Sequence, residues 1–369
     1  MDHWIDTENQ LNDVIAALKG VNFVAIDTEF IRTNTFFPKL ALIQISDGRK
    51  CWLIDVLNIA DMSPLKKLLQ SNDKTFIFHA CAEDLEVLEH ALDCVPERIF
   101  DTQIAAGIVG RGFSMGYARL VNQVFIVDLD KQATRSNWLA RPLTEEQKNY
   151  AAEDVAYLHR LHRLLSDELK EQCREGWFSE ESGAVFAMVA SRRNSDDYYL
   201  RVKGAWRLEA GSMKALKRLC DWRELEARQR DKPRAHVVKD IVLLEIAKRM
   251  PSCIEHLAGI DHLYVRQIKR YGDDILQEVL RSKLDCELSA MPQPLTKSQN
   301  DILKKLRVSL NLVAEENKIP HEFLSNKKEL ESIIRSLGDE GFLLPTRLTC
   351  GWRANLVKSV FEQLSRNVE

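Results

Sequence analysis

The chain has 369 residues, 45% of them hydrophobic and 29% charged, which is longer than one core usually fills and too apolar for a disordered polymer, so two or three folded domains are expected. Its net charge of −3 conceals an imbalance, because Lys and Arg number 18 against 25 Asp and Glu in residues 1–170 but 31 against 24 in residues 201–369. An acidic front half joined to a basic back half fits a carboxylate-rich chemical site coupled to a module that attracts a polyanion, and it excludes neither an enzyme nor a binding protein. The eight cysteines form no C-x-x-C pair and no framework, so neither zinc nor structural disulfides are expected. The start Met1-Asp2-His3-Trp4 is acidic where a signal peptide is basic, and no apolar run approaches the ~18 residues of a membrane span, so a cytoplasmic protein with no membrane partner is expected.

From Val21 to Val56 the pattern reads as three strands, Phe23 to Glu29, Leu40 to Ser46 and Cys51 to Asp55, with Asp47-Gly48 as the tight turn between the last two. Pro64 to Leu69 then reads as helix, Thr75 to His79 as extended, Asp84 to Leu92 as helix and Arg98 to Asp101 as extended, the alternation of a mixed α/β domain. Thr144-Glu145-Glu146-Gln147 is a capping box, from which a single helix is predicted to run to about Leu169 with Val155, Leu158, Leu161 and Leu165 on its apolar face. That helix closes a first domain over residues 1–170. Residues 171–205, which include Ser191 to Asp197, read as a linker of mixed polarity.

Beyond Trp206 the pattern is helical, and Ala227 to Ala247 is echoed by Ala314 to Ile334. Both stretches hold a helix ending in charged residues, a proline turn (Pro233, Pro320), an apolar pair (Val237-Val238, Phe323-Leu324) and a second helix. Two copies of one helical domain are therefore expected, over 206–289 and 295–369, separated at Ala290 to Leu295 where Pro292 and Pro294 oppose a continuing helix.

The chemistry lies in the carboxylates. Phe23-Val24-Ala25-Ile26 is an apolar strand that ends by presenting Asp27 and Glu29 at i and i+2, on one face. Like charges at the edge of a buried strand repel and lose hydration, an arrangement that makes sense with a divalent cation between them, although most such D-x-E matches are ordinary strand ends. Asp84 opens a helix, where an acid also complements the macrodipole, and His79 before it is of a type more often found as a satisfied core residue. Tyr150 and Asp154 stand one helical turn apart, so a phenol beside a carboxylate can hold a water, or the two can simply be a surface pair. Taken together, Asp27, Glu29, Asp84 and Asp154 sit at element ends that can converge on one sheet edge, enough for two divalent ions. Hard oxygen ligands favour Mg²⁺ or Mn²⁺ over zinc.

The order Asp-x-Glu, Asp, Tyr-x-x-x-Asp resembles the three exonuclease motifs of the DEDD superfamily in its tyrosine-bearing branch. The surrounding strings Asp27-Thr28-Glu29-Phe30, Leu42 to Ile45, Phe78-His79-Ala80, Glu83 to Val87, Phe100 to Gln103, Trp138 to Leu143 and Tyr150 to Val155 are similar to the ribonuclease D family over residues 1 to about 170. Leu219 to Glu224 and Gly351-Trp352-Arg353 resemble the HRDC domains that follow this nuclease, the second copy being more divergent. The resemblance implies an α/β ribonuclease H-like exonuclease domain followed by two all-α HRDC-like helical domains. It also implies that Asp27 bridges two metal ions, that Glu29 and Asp154 bind the water-carrying ion, that Asp84 holds the other and that Tyr150 orients the attacking water. Thr28, Phe30 and His79 become candidate contacts to the terminal nucleotide. The implied substrate is RNA with a free 3′ hydroxyl, transfer RNA precursors among other small RNAs, cut to nucleoside 5′-monophosphates. Two alternatives stand beside this reading: a DNA 3′→5′ exonuclease, since the same carboxylates serve both polymers, and a decayed nuclease fold that only binds nucleic acid, whose signature would be a missing carboxylate. No G-x-x-x-x-G-K and no G-x-G-x-x-G after a strand is present, so a nucleoside triphosphate is not expected. Chemistry is expected in residues 1–170 and grip on the substrate in residues 206–369.

Overall fold

The structure, a computed structural model, describes residues 2–129, 136–191, 198–286, 288, 291–337 and 342–366. Most of the expected connecting stretch Ser191 to Asp197, and Ala290, lie outside the described residues. The chain packs as two units. One comprises Met1–Ile31, Lys39–Val189 and Leu295–Glu369, the other Arg32–Pro38 and Ala190–Pro294. Among the described residues no helix is long and apolar enough to cross a membrane.

The first unit is built on a mixed sheet of β1 (Asp2–Ile5), β2 (Phe23–Ile31), β3 (Lys39–Ser46), β4 (Cys51–Ile54), β5 (Thr75–Phe78) and β6 (Ile99–Asp101), in the order β1-β4-β3-β2-β5-β6. β2, β3 and β4 are the antiparallel meander expected from the Asp47-Gly48 turn, while β1, β5 and β6 add in parallel. Its helices are α1 (Glu8–Ala17), α2 (Ser63–Leu69), α3 (Ala82–Leu92), α4 (Thr102–Ile108), α5 (Tyr117–Phe125), α6 (Glu145–Ala156), α7 (Leu158–Glu171) and α8 (Glu175–Ser191). The last of these occupies much of the stretch that reads as a linker.

Alternation along β2 sorts its side chains between two cores. Val24 and Ile26 join Leu11, Leu65, Phe76, Leu85 and Leu88 on one face. Ala25 joins Leu53, Ala151, Ala152, Val155 and Leu158 on the other. By the same period of two, Asp27 and Glu29 continue the Ala25 face towards α6, and Thr28 continues the face covered by α3.

The capping box at Thr144 is present, with the Gln147 amide donating to Thr144 Oγ1 at 3.2 Å and the Thr144 amide donating to Gln147 Oε1 at 3.0 Å. The single helix predicted from it to Leu169 is instead two, α6 and α7, broken at Tyr157. Nothing local in the sequence breaks it, since residues 145–171 contain neither Pro nor Gly.

The second unit contains α9 (Ala210–Gln229), α10 (Arg234–Val237), α11 (Asp240–Arg249), α12 (Ile254–Ala258) and α13 (Val265–Arg281) around Leu216, Leu219, Val242, Leu243, Ile246 and Ile275. Asp231 accepts the amides of Phe36 at 2.9 Å and Phe37 at 3.0 Å, which ties the segment between β2 and β3 into this unit. The repeat read in the sequence is visible helix by helix. α14 (Lys297–Glu316), α15 (His321–Leu324), α16 (Lys327–Arg335), α17 (Thr346–Thr349) and α18 (Gly351–Arg366) have 20, 4, 9, 4 and 16 residues, against 20, 4, 10, 5 and 17 in α9–α13.

The two copies are nevertheless used differently. Leu306, Leu310, Phe323, Ile333, Trp352 and Val357 of the second copy share one apolar cluster with Ala105, Ile108 and Val121 of the sheet-bearing region. Trp352 stacks on Trp177 of α8 at 4.3 Å, and buried Arg353 pairs with Glu180 at 3.0 Å and with Glu181. A methyl on Gly107 would stand 2.4 Å from the Phe323 ring, so these surfaces meet at van der Waals contact where only glycine fits.

Candidate active site

Asp27, Glu29 and Asp154 each offer a carboxylate oxygen, and the three oxygens lie within 4.8 Å of one another. Strand alternation supplies the first two and α6, packed on the same face, supplies the third. Asp84 stands outside this mutual cluster, in the first turn of α3, where its carboxylate accepts the Thr28 hydroxyl at 2.5 Å. It is still close enough to raise the proton affinity of both Asp27 and Glu29.

The electrostatics show the cost of this convergence. Burial, and then Asp84, Asp154 and Glu29, push Asp27 well above the usual carboxylate range. Burial and the Asp154 and Asp84 charges push Glu29 to about 9. Asp84 rises to about 7, mainly by burial, against the stabilising Thr28 hydroxyl. Asp154 also rises to about 7 by burial, against a hydrogen bond from the Tyr150 hydroxyl. Gln44, directly across the ladder from Asp27, is fully buried, and among the described residues its amide has no partner. Three half-buried carboxylates whose oxygens lie this close together are the donor set of a hard divalent ion.

A pH dependence follows. A carboxyl whose folded pKa lies above its unfolded value of about 4 contributes stability that is fully present below that value and is lost as pH rises through the folded one. With Asp84 and Asp154 at about 7 and Glu29 at about 9, the cation-free protein should melt progressively lower between pH 6 and pH 9. Adding Mn²⁺ should remove most of that slope. Melting curves in chelator and in Mn²⁺ measure it, and a cation-free melting point that climbs across this window would contradict the clustering.

The supporting residues explain why α3 and α6 present their acids here. Asp101, 2% exposed, accepts the amides of Ala80 at 3.0 Å and Cys81 at 2.8 Å, and that of Gln103 at 2.8 Å at the start of α4. It thereby holds the turn before α3, where Ala80 has φ of 62°. His79 Nε2 lies 2.9 Å from the Met115 carbonyl and Nδ1 lies 2.9 Å from Thr102 Oγ1. A carbonyl only accepts, so Nε2 carries the proton; burial lowers the pKa of the ring, and the Thr102 hydroxyl that faces Nδ1 donates its one proton to the Phe78 carbonyl at 2.9 Å. Neither ring nitrogen of His79 is left for a nucleotide, and Thr28 likewise directs its hydroxyl to Asp84. Of the three candidate contacts only Phe30, half-buried beside the α3-side core, has no such engagement in the fold.

Sequence reading missed Asp55 and Arg141. Asp55 is fully buried and receives the Arg141 guanidinium as a fork, Nη2 at 2.6 Å and Nε at 2.8 Å. Burial alone would raise the Asp55 pKa, but Arg141 reverses this and holds the carboxyl below its usual range. The same guanidinium binds the carbonyls of Trp138 at 2.7 Å and Ala41 at 2.8 Å. Ala41 is the extra residue of a bulge, since Glu29 pairs with Leu42 while Phe30 pairs with Leu40. Arg141 thus clamps the sheet irregularity beside Glu29 to the entry of the helix that carries Tyr150 and Asp154. The only signal was the Trp138 to Leu143 string.

A 3′-5′ exonuclease family matches residues 3–170 and the HRDC domain matches residues 212–279. Ribonuclease D of Pseudomonas paraeruginosa is 36% identical over 354 residues, covering 95% of this chain and 94% of that protein. Ribonuclease D of Escherichia coli is 33% identical over 371 residues, covering 98% and 97%. The chain belongs to the ribonuclease D family. Like its relatives in ribonuclease D, it is a 3′→5′ exoribonuclease. The crystal structure of Escherichia coli RNase D, described as an exoribonuclease involved in structured RNA processing, aligns with a TM-score of 0.86 at 32% identity, over 100% of this chain and 99% of that one. The expected fold, an α/β exonuclease domain followed by HRDC-type helices, is the one found.

Proposed function

We propose that this exoribonuclease trims the 3′ ends of transfer RNA precursors and other small structured RNAs in the cytoplasm, releasing nucleoside 5′-monophosphates. The observation that carries the reading is the cluster of Asp27, Glu29 and Asp154, with Asp84 attached through Thr28 and the Tyr150 hydroxyl on Asp154. Asp27, Glu29, Asp84 and Asp154 would hold two Mg²⁺ or Mn²⁺ ions. Such ions supply an activated water and neutralise charge on the phosphodiester. Tyr150, whose ring centroid lies 6.0 Å from that of Trp138, would orient the attacking water. Phe30 is the remaining candidate to pack against the terminal nucleotide. The processing role attributed to the Escherichia coli structure supports structured RNA as the substrate class.

The test is hydrolysis of a 3′-extended transfer RNA precursor beside a DNA strand of matched sequence, with Mg²⁺ and with chelator. Metal-dependent shortening of the RNA from its 3′ end, with mononucleotide products, is expected. Preference for the DNA would overturn the substrate assignment, and cleavage in chelator would overturn the metal role. Tyr150→Phe keeps the ring's packing and removes only the hydroxyl, so turnover should fall by roughly one to three orders of magnitude with RNA affinity nearly unchanged. Equal losses in binding and turnover would mark Tyr150 as structural.

A further inference from the structure

One hydroxyl from another helix interrupts the helix that carries Asp154. Tyr117 Oη, from α5, donates to the Glu153 carbonyl at 3.0 Å and accepts the Tyr157 amide at 3.0 Å. These two backbone groups are four residues apart, the pair that an uninterrupted α-helix bonds directly. The break falls at this link: α6 ends at Ala156, α7 begins at Leu158, and the Tyr157 amide turns to the Val155 carbonyl and to Tyr117. A side chain inserted into the i→i−4 ladder is a known cause of a helix break, and without Pro or Gly here the sequence offers no other. Asp154 lies inside the opened turn, next to the carbonyl that Tyr117 holds.

The wedge is itself held in place. The Tyr117 ring packs edge-on against His79 at 5.5 Å, and His79 is fixed at both nitrogens by Thr102 and Met115. The phenol is close enough to Asp154 and Asp27 to feel their charge. A chain of contacts therefore runs from α4 and the residues before α5, through His79 and Tyr117, to the backbone on either side of Asp154.

We propose that Tyr117 is a positioning residue of the exonuclease site: its hydroxyl, wedged between the Glu153 carbonyl and the Tyr157 amide, opens the helix by one link and so sets the Asp154 carboxylate against Asp27 and Glu29. This rests on the reading of Asp154 as a metal ligand. Tyr117 acts only through the backbone that bears Asp154. Without the hydroxyl, the Glu153 and Tyr157 groups either close into an ordinary helical link, which turns Asp154 away from its partners, or remain open and unsatisfied.

The test compares wild type, Tyr117→Phe and Asp154→Asn in the full-length chain, by Mn²⁺ titration calorimetry and by steady-state hydrolysis of an RNA oligonucleotide. Tyr117→Phe keeps the ring on His79, and a cooperative melt within a few degrees of wild type verifies its fold. The expected result is Mn²⁺ affinity lowered by about 10–100-fold, the range for lost outer-shell support of a metal ligand, with kcat falling and KM for RNA nearly constant. Added Mn²⁺ should restore part of the rate. Wild-type Mn²⁺ affinity and kcat in Tyr117→Phe would overturn the proposal, as would a lowered melting point with Mn²⁺ affinity unchanged, which is the outcome of a purely structural contact. If Asp154→Asn itself binds Mn²⁺ and turns over like wild type, the metal assignment fails instead, and the two failures are told apart.

Discussion

Asp27→Asn should reduce RNA hydrolysis by at least about a thousandfold while the cation-free protein melts no lower than wild type. The side chain is the point on which the site converges, since Asp84, Asp154 and Glu29 all act on it and partial burial adds to their effect. An amide has the same shape but only one oxygen and no charge, so it would hold a divalent cation far more weakly than the carboxylate would. It also removes one of the charges that the folded state must otherwise protonate or pair, so the loss of activity should come without a loss of fold. Mn²⁺ should raise the wild-type melting point and leave that of the variant nearly unmoved. Single-turnover hydrolysis and melts with and without Mn²⁺ report both halves. Activity within a few-fold of wild type would remove Asp27 from the metal site.

Deleting Leu295–Glu369 should abolish a stable nuclease unit rather than merely weaken its hold on RNA. The second helical copy fills the same apolar cluster as Ala105, Ile108 and Val121, and its loss would uncover the faces now covered by Leu306, Phe323, Ile333, Trp352 and Val357. Burial of each large apolar side chain is worth about 1.5–3 kcal/mol, whereas the net stability of a domain is only about 5–15 kcal/mol. Glu180 and Glu181 would lose Arg353, and the Arg174 guanidinium, now bound to the Ile108 carbonyl at 2.6 Å and to the Asn317 carbonyl, would lose the second. The truncated chain should aggregate or melt many degrees lower, as measured by scanning calorimetry and size-exclusion chromatography. A soluble fragment with a wild-type melting point and undiminished cleavage of short RNA would show that the shared core is dispensable. The structure thereby corrects the simple separation of chemistry in residues 1–170 from grip in residues 206–369, because half of the supposed gripping module is part of the catalytic unit's core.

Much of this protein was legible in local pattern. The D-x-E step placed Asp27 and Glu29 on one face because strand side chains alternate, the Thr144 box located the start of α6 because a cap is a contact over three residues, and the echo of Ala227–Ala247 in Ala314–Ile334 exposed a repeated set of helices. The family resemblance added which acids belong together. What remained hidden depends on partners far apart in the chain. Tyr117 lies 36 residues from Glu153, and its hydroxyl breaks a helix that every local signal continues. Arg141 reaches Asp55 across 86 residues and Ala41 across 100, and neither end announces the other. The two helical copies carry the same pattern, yet one has its own core and the other completes the nuclease core, because periodicity shows that a face is buried and not what buries it. Sequence by itself determined the strands from β2 to β6, the helices α2 and α3, the start of α6, the repeated helices and the chemical groups, since those follow from backbone geometry and residue type within a few positions. Tertiary structure alone decided where the Asp154 helix opens and which surfaces the second copy covers, since both depend on side-chain and apolar contacts between segments that no local pattern pairs.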